Sequence, residues 1–215
     1  MGDAELRQEV IRYGRLLVER RLIQATWGNV SVRVDDSHFL ITPSGLPYAR
    51  TKPEDLIHLA HDGAVLSGSR KPSSEWPFHV AIYNARPDAQ AIVHTHSPRA
   101  TALSCTRRGI PAFHYMIALC GGSDVRCADY ATFGSPELAA KAVAALEGRK
   151  AVLLANHGVI ALGASLAGAH TIVAEVENLA GQYLDLLASG LEPVILDEAE
   201  MERVSAKFAG YGKVG

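Results

Sequence analysis

The stretch AVLLANHGVIALGASLAGA, Ala151 to Ala169, decides how this 215-residue chain is read. It is nearly long enough for a membrane span, which needs about 20 apolar residues in a row. Asn156, His157 and the glycines Gly158, Gly163 and Gly168 interrupt it. They divide the run into a buried strand, a polar turn, a second strand and a helix start, the pattern of adjacent strands inside a core. The reading predicts a compact soluble α/β protein.

Working outward from that stretch, a long helix is expected over Leu166 to Ser189, stopping at Gly190, and a last amphipathic helix over about Asp197 to Phe208. The glycine-rich AGYGKVG, 209–215, is expected to be a mobile tail. Upstream, "SPE" caps a helix over Ser135 to Leu146, and Ala91 to His96 reads as a strand followed by a helix over Pro98 to Thr106. A helix from Glu75 to Ala85 has Ser73 and Ser74 as candidate caps and ends before Pro87. NVSVRVDDSHFLITPSG and IHLAHDGAVLSGS read as β-hairpins, and Asp3 to Arg21 as a helix with one apolar face.

Hydrophobic residues make up 48% of the chain and charged ones 20%, enough to bury a core in one domain. A net charge of -2 with scattered Lys and Arg offers no basic stripe for a nucleic acid. Three cysteines, Cys105, Cys120 and Cys127, lack metal or redox spacing and read as free thiols in a reducing cytoplasm. The start, MGDAELRQEV, shows no secretory pattern.

The chemistry is concentrated in AIVHTHS. Residues two apart on a strand share a face, so His94 and His96 can offer two imidazoles to one cation while Thr95 turns away. His157, in a polar turn between two apolar strands, is a third candidate, since burying it unpartnered would be costly. Three histidines with an open position is the arrangement of a catalytic zinc site, and neutral ligands leave the ion its full charge for Lewis-acid work. Glu75 in PSSEW is the candidate base, with helix capping as the alternative role of Ser73, Ser74 and Glu75. Gly28-Asn29, the TPSG loop (Thr42 to Gly45) and the Ser73-Ser74 pair are three small-polar loops able to converge on one phosphate.

With GNVSVR, ITPSGLPY, KPSSEWPFH, AIVHTHS, IPAFHYMIA, YATFG, LLANHG, EVENLA and KFAGYG in this order, the chain resembles class II aldolases of the L-fuculose-1-phosphate aldolase type and the wider group containing ribulose-5-phosphate 4-epimerase. The resemblance implies a single three-layer α/β domain over 1–215, with a mainly antiparallel sheet between helices on both faces. It also implies zinc-dependent retro-aldol cleavage of a deoxy-ketose 1-phosphate, foremost L-fuculose 1-phosphate, to dihydroxyacetone phosphate and L-lactaldehyde. The alternatives are 5-deoxyribulose or 5-methylthioribulose 1-phosphate as substrate, or 4-epimerisation.

By the same resemblance His94, His96, His157 and Glu75 would hold one Zn2+ per subunit, Glu75 also moving protons. Gly28, Asn29, Ser44, Gly45, Ser73 and Ser74 would hold the phosphate. Tyr115 and Tyr211 would serve the aldehyde end, Tyr115 from a neighbouring subunit of a cytoplasmic homotetramer with sites between subunits. Trp27 and Ser44 depart from the fuculose-type pattern, while Glu75 and Tyr115 depart from the epimerase pattern. Phe113, Phe133, Leu119 and Cys120 are candidates for an apolar wall around the aldehyde. An adducin-like binding head is the non-enzymatic rival, and it would not need all three histidines and the glutamate.

Overall fold

The computed structural model describes residues 2–210. It contains α1 (Asp3–Glu19), β1 (Gly28–Arg33), β2 (His38–Ile41), β3 (Ile57–Ala60), β4 (Val65–Ser67), α2 (Trp76–Ala85), β5 (Ala91–Thr95) and α3 (Pro98–Ser104). There follow β6 (Arg126–Ala128), α4 (Pro136–Ala145), β7 (Ala151–Leu154), β8 (Gly158–Gly163), α5 (Leu166–Ser189) and α6 (Glu198–Gly210). Short 3-10 turns occur at Pro53–Asp55 and Tyr115–Cys120.

All eight strands form one sheet in the order β4-β3-β2-β1-β5-β8-β7-β6. Neighbours pair antiparallel except β6 and β7, which run parallel. Parallel neighbours need a crossover, and α4 supplies it. The deciding stretch folds as read: β7, a turn at Asn156 with φ 56°, β8, then α5 capped by Ser165 Oγ accepting from Gly168 N. No helix among the described residues is long and apolar enough to cross a membrane.

The central strands β5 and β8 are buried at every position because helices cover both faces. Ala91, Val93, Val159 and Ala161 face a core shared with α1, α3 and α5. Ile92, Ile160 and Leu162 face a second core shared with Phe78 and Ile82 of α2 and Leu138 and Ala142 of α4. The expected three layers are thus present, with α2 and α4 on the face that carries His94.

Two expectations change, and one strand is added. Ser73 and Ser74 do not cap α2; Glu75 is itself the N-cap residue, with no side-chain capping bond, and Ser73 Oγ only accepts from Glu75 N at 3.3 Å. The Glu75 carboxylate is therefore not spent on the helix end. The final helix runs to Gly210, so Ala209 and Gly210 of the expected tail are helical, whereas Tyr211 lies outside the described residues. β6 went unread because RCA is only three residues long and has no alternation to mark it.

Candidate active site

The register of the sheet assembles the site. Asn29 on β1 is the cross-strand partner of His94 on β5, and β8 lies on the other side of His94, opposite Ile160. His96 follows the end of β5, and His157 closes the turn before β8. Two glycines permit this approach. A Cβ on Gly28 would stand 2.7 Å from the His94 carbonyl oxygen, and one on Gly158 would stand 2.4 Å from the Thr95 carbonyl oxygen and 3.1 Å from the His96 ring. Either side chain would force the strands apart at the histidines.

The three imidazoles form a near-equilateral triangle. Ring centroids are 4.9 Å apart for His94 and His96, 4.9 Å for His94 and His157, and 4.8 Å for His96 and His157, with the planes crossing at 69–78°. Glu75, at the start of α2, reaches into it: Oε2 lies 3.0 Å from His94 Nε2 and Oε1 3.0 Å from His157 Nε2. Ligand atoms of these four residues all fall within 4.8 Å of one another, a group able to hold a metal ion.

The donor chemistry fits such an ion. His94 Nδ1 lies 3.0 Å from the Val159 carbonyl oxygen and must donate to it, which turns the lone pair of Nε2 toward the cluster. His96 Nε2 stands 3.0 Å from that same Nε2. Glu75 Oε1 is buried 3.0 Å from His157 Nε2. Two imidazole nitrogens and a buried carboxylate oxygen facing inward suit a shared cation better than they suit one another. Burial alone would push Glu75 up, but its charge and hydrogen-bond interactions with His94 and His157 outweigh that and hold its carboxyl well below the ordinary range. Burial, then the neighbouring imidazoles, holds His96 down at about 4. At neutral pH the glutamate is ionised and His96 is neutral, the forms that bind metals.

A cavity of about 490 Å³ opens above the cluster. Gly28, Asn29, Ser44, Gly45, Ser73 and Ser74 all line it, as do Glu75, His96 and His157. His94 is fully buried behind them. The three small-polar loops therefore converge as the sequence suggested.

The rest of the wall is Thr26, Trp27, Pro43, Tyr130, Ala131, Phe133 and Asn156. Of the four residues expected to form an apolar wall only Phe133 does so. Cys120 is buried in the core, Phe113 packs against the Tyr183 ring at 5.5 Å, and Leu119 is not among the lining residues. Tyr130 and Asn156 were not among the candidate site residues, although each sits in a quoted motif, YATFG or LLANHG. Tyr115 does not line the cavity; it is 50% exposed, its ring stacked 6.3 Å from that of Phe208. The three cysteines are free thiols.

Residues 8–184 match the family described as Class II Aldolase and Adducin N-terminal domain. The chain belongs to that family. It is 51% identical over 207 residues, 96% of this chain and 92% of the relative, to a 5-methylthioribulose-1-phosphate/5-deoxyribulose-1-phosphate aldolase of Rhodospirillum rubrum. It is 43% identical over 212 residues, 99% of this chain and 97% of the relative, to an L-fuculose phosphate aldolase of Haemophilus influenzae. Among solved structures it superposes on an L-fuculose 1-phosphate aldolase with a TM-score of 0.92 and 46% identity, covering 97% of this chain and 98% of that one. With the Glu-His cluster in place, the protein is a metal-dependent aldehyde-lyase of the class II aldolase family, similar to the L-fuculose phosphate aldolases.

Proposed function

We propose that this enzyme cleaves a deoxy-ketose 1-phosphate into dihydroxyacetone phosphate and a small aldehyde, reversibly and with zinc as its metal. The observation that carries the reading is the convergence of Glu75 and three imidazoles at the base of a cavity walled by three small-polar loops. One Zn2+ per subunit, held by His94, His96, His157 and Glu75, would supply Lewis acidity to the ketose oxygens and stabilise their negative charge as the C3–C4 bond breaks.

The protein's own groups do the rest. Gly28, Asn29, Ser44, Gly45, Ser73 and Ser74 bind the phosphate through hydroxyls, an amide and backbone N–H groups. That contact fixes the C3–C4 bond over the cluster. In cleavage a proton leaves the C4 hydroxyl and one arrives at C3. Glu75 moves the proton at C3, and Tyr115 of a neighbouring subunit in a homotetramer serves the C4 oxygen. The exposure of Tyr115 and its position away from its own chain's cavity support that trans assignment. Tyr211 has its role at the aldehyde end from the resemblance alone.

For the aldehyde half, Trp27, Tyr130 and Phe133 line the cavity and are largely exposed, a surface suited to a terminal methyl or thiomethyl group. With the Rhodospirillum relative, this favours 5-deoxyribulose or 5-methylthioribulose 1-phosphate. L-Fuculose 1-phosphate, whose aldehyde carries one more hydroxyl, is the second reading, favoured by the Haemophilus relative and the superposed structure. Initial rates of dihydroxyacetone phosphate release from the three ketose phosphates separate them. The expected result is a kcat/KM about tenfold or more higher for 5-deoxyribulose or 5-methylthioribulose 1-phosphate than for L-fuculose 1-phosphate, whose added hydroxyl would lie against this apolar surface. The reverse order restores the fuculose assignment. No release from any, with epimerisation of ribulose 5-phosphate instead, would overturn both.

A further inference from the structure

Behind the cavity a chain of buried polar groups runs from Glu75 into the α2 side of the core. Asn29 Nδ2 lies 3.0 Å from Glu75 Oε2, and Asn29 Oδ1 lies 2.5 Å from His79 Nε2. His79 Nδ1 is 2.7 Å from Ser31 Oγ, which is 2.8 Å from Tyr83 Oη. His79 and Ser31 are fully buried, Tyr83 and Asn29 nearly so, and His79, Ser31 and Tyr83 do not line the cavity. The spacing is built from two periods: Glu75, His79 and Tyr83 are successive i,i+4 positions at and along α2, and Asn29 and Ser31 are i,i+2 positions on β1.

The directions of these bonds follow from one end. A carboxylate only accepts, so the Asn29 amide must turn its NH2 to Glu75 and its carbonyl to His79. His79 Nε2 must then carry the hydrogen. Burial depresses His79 to about 3, so the ring is neutral and its Nδ1 accepts from Ser31, which in turn accepts from Tyr83. Every donor has one acceptor, and no member can reverse without leaving a buried group unpaired.

We propose that His79 is a positioning residue that, through Asn29, fixes the orientation of the Glu75 carboxylate between His94 and His157. The proposal rests on the aldolase reading and adds that Asn29, through its two N–H groups, joins the phosphate loops to the proton-transferring carboxylate: one N–H holds Glu75, and the other is left for the cavity. Buried partners of metal-binding side chains usually change metal affinity or activity by about 10–100-fold when removed.

The test uses the full chain as wild type, His79→Leu, His79→Gln and Ser31→Ala. Each is checked for folding by thermal unfolding, then loaded with Co2+ in place of zinc for its visible spectrum, and assayed with zinc for dihydroxyacetone phosphate release. His79→Leu should shift the cobalt spectrum and lower kcat by about 10–100-fold, with KM changed by less than about threefold. His79→Gln, whose terminal amide can place an N–H near the position of Nε2, should restore the spectrum and most of kcat. A folded Leu variant with wild-type spectrum and rate overturns the proposal, and so does a folded Gln variant no better than Leu. If the Leu variant does not fold, Ser31→Ala decides: a shifted spectrum and lowered kcat support the relay, and unchanged values overturn it. A wild type that takes up no cobalt and releases no dihydroxyacetone phosphate defeats the aldolase reading itself, whereas an active wild type with unaffected variants defeats only the relay.

Discussion

Two groups of three histidines lie along this sheet, and their contrast shows what makes a site. His38, His58 and His61 belong to the β2–β3 end. There His38 Nδ1 is 2.9 Å from Asp35, His58 Nε2 is 2.9 Å from Asp3, and the His61 ring stacks on Tyr83 at 5.9 Å. Each imidazole has found a separate partner. In the centre, His94 and His157 share the Glu75 carboxylate and His96 turns its Nε2 to that of His94, so that all three rings meet at a common point. Histidine density is equal in the two places. Convergence, with a neighbouring cavity to receive a substrate, is found in only one of them among the described residues.

The largest break between the groups is expected on deleting a ring from the central one. His96→Ala should lose the bound metal and all dihydroxyacetone phosphate release while keeping its fold, as judged by metal analysis and circular dichroism. Full metal content in that variant would end the three-histidine assignment.

Next in size is Glu75→Gln, which keeps the side chain's shape and removes its charge and basicity. Turnover should fall by about 10²–10⁴, the range for general acid–base groups. A loss of less than about tenfold would return Glu75 to a merely structural place at the start of α2.

A smaller effect concerns His79, and its sign follows from burial. Its pKa is depressed to about 3 in the folded protein from 6.5, so between those values the unfolded chain binds a proton that the folded one does not. Stability contributed by the neutral ring is therefore present above about pH 6.5 and lost as pH falls toward 3, by at most about 1.4 kcal/mol per pH unit. Urea unfolding of wild type and His79→Gln from pH 7 to pH 4.5 should show a shallower loss for the variant. Parallel curves would contradict the neutral buried ring.

The smallest effect belongs to the outer group. His58→Gln breaks a pairing with Asp3, which is half exposed, and should cost less than about 1 kcal/mol, with metal content and kcat unchanged. Loss of metal there would erase the distinction between the two groups.

Much of the active cluster could be read from the sequence because strand period and turn chemistry are local. Two residues apart on β5 already places His94 and His96 on one face, and a polar turn between two apolar runs already singles out His157. The three polar loops were legible as a set able to converge, but not the bridge between Pro43 and Pro72, far apart in the sequence, that sets Ser73 and Ser74 beside the TPSG loop. The relay was missed for the same reason. Glu75, His79 and Tyr83 are spaced to share one side of α2, but only the register that sets Asn29 and Ser31 beside that helix gives the spacing a meaning. β6 was hidden by its length, and the role of Glu75 was blurred because a serine pair before a helix reads as a cap until the backbone shows that Glu75 occupies that position itself.

The account rests on one claim, that the Glu75–His94–His96–His157 cluster holds the metal on which cleavage depends. Metal stoichiometry and dihydroxyacetone phosphate release, measured on one preparation before chelation, after it and after adding Zn2+ back, test this most directly. The account predicts one ion per chain, no release from the stripped protein, and recovery of the rate as zinc returns to one equivalent. Stripped protein that contains no metal and cleaves at the original rate would contradict it.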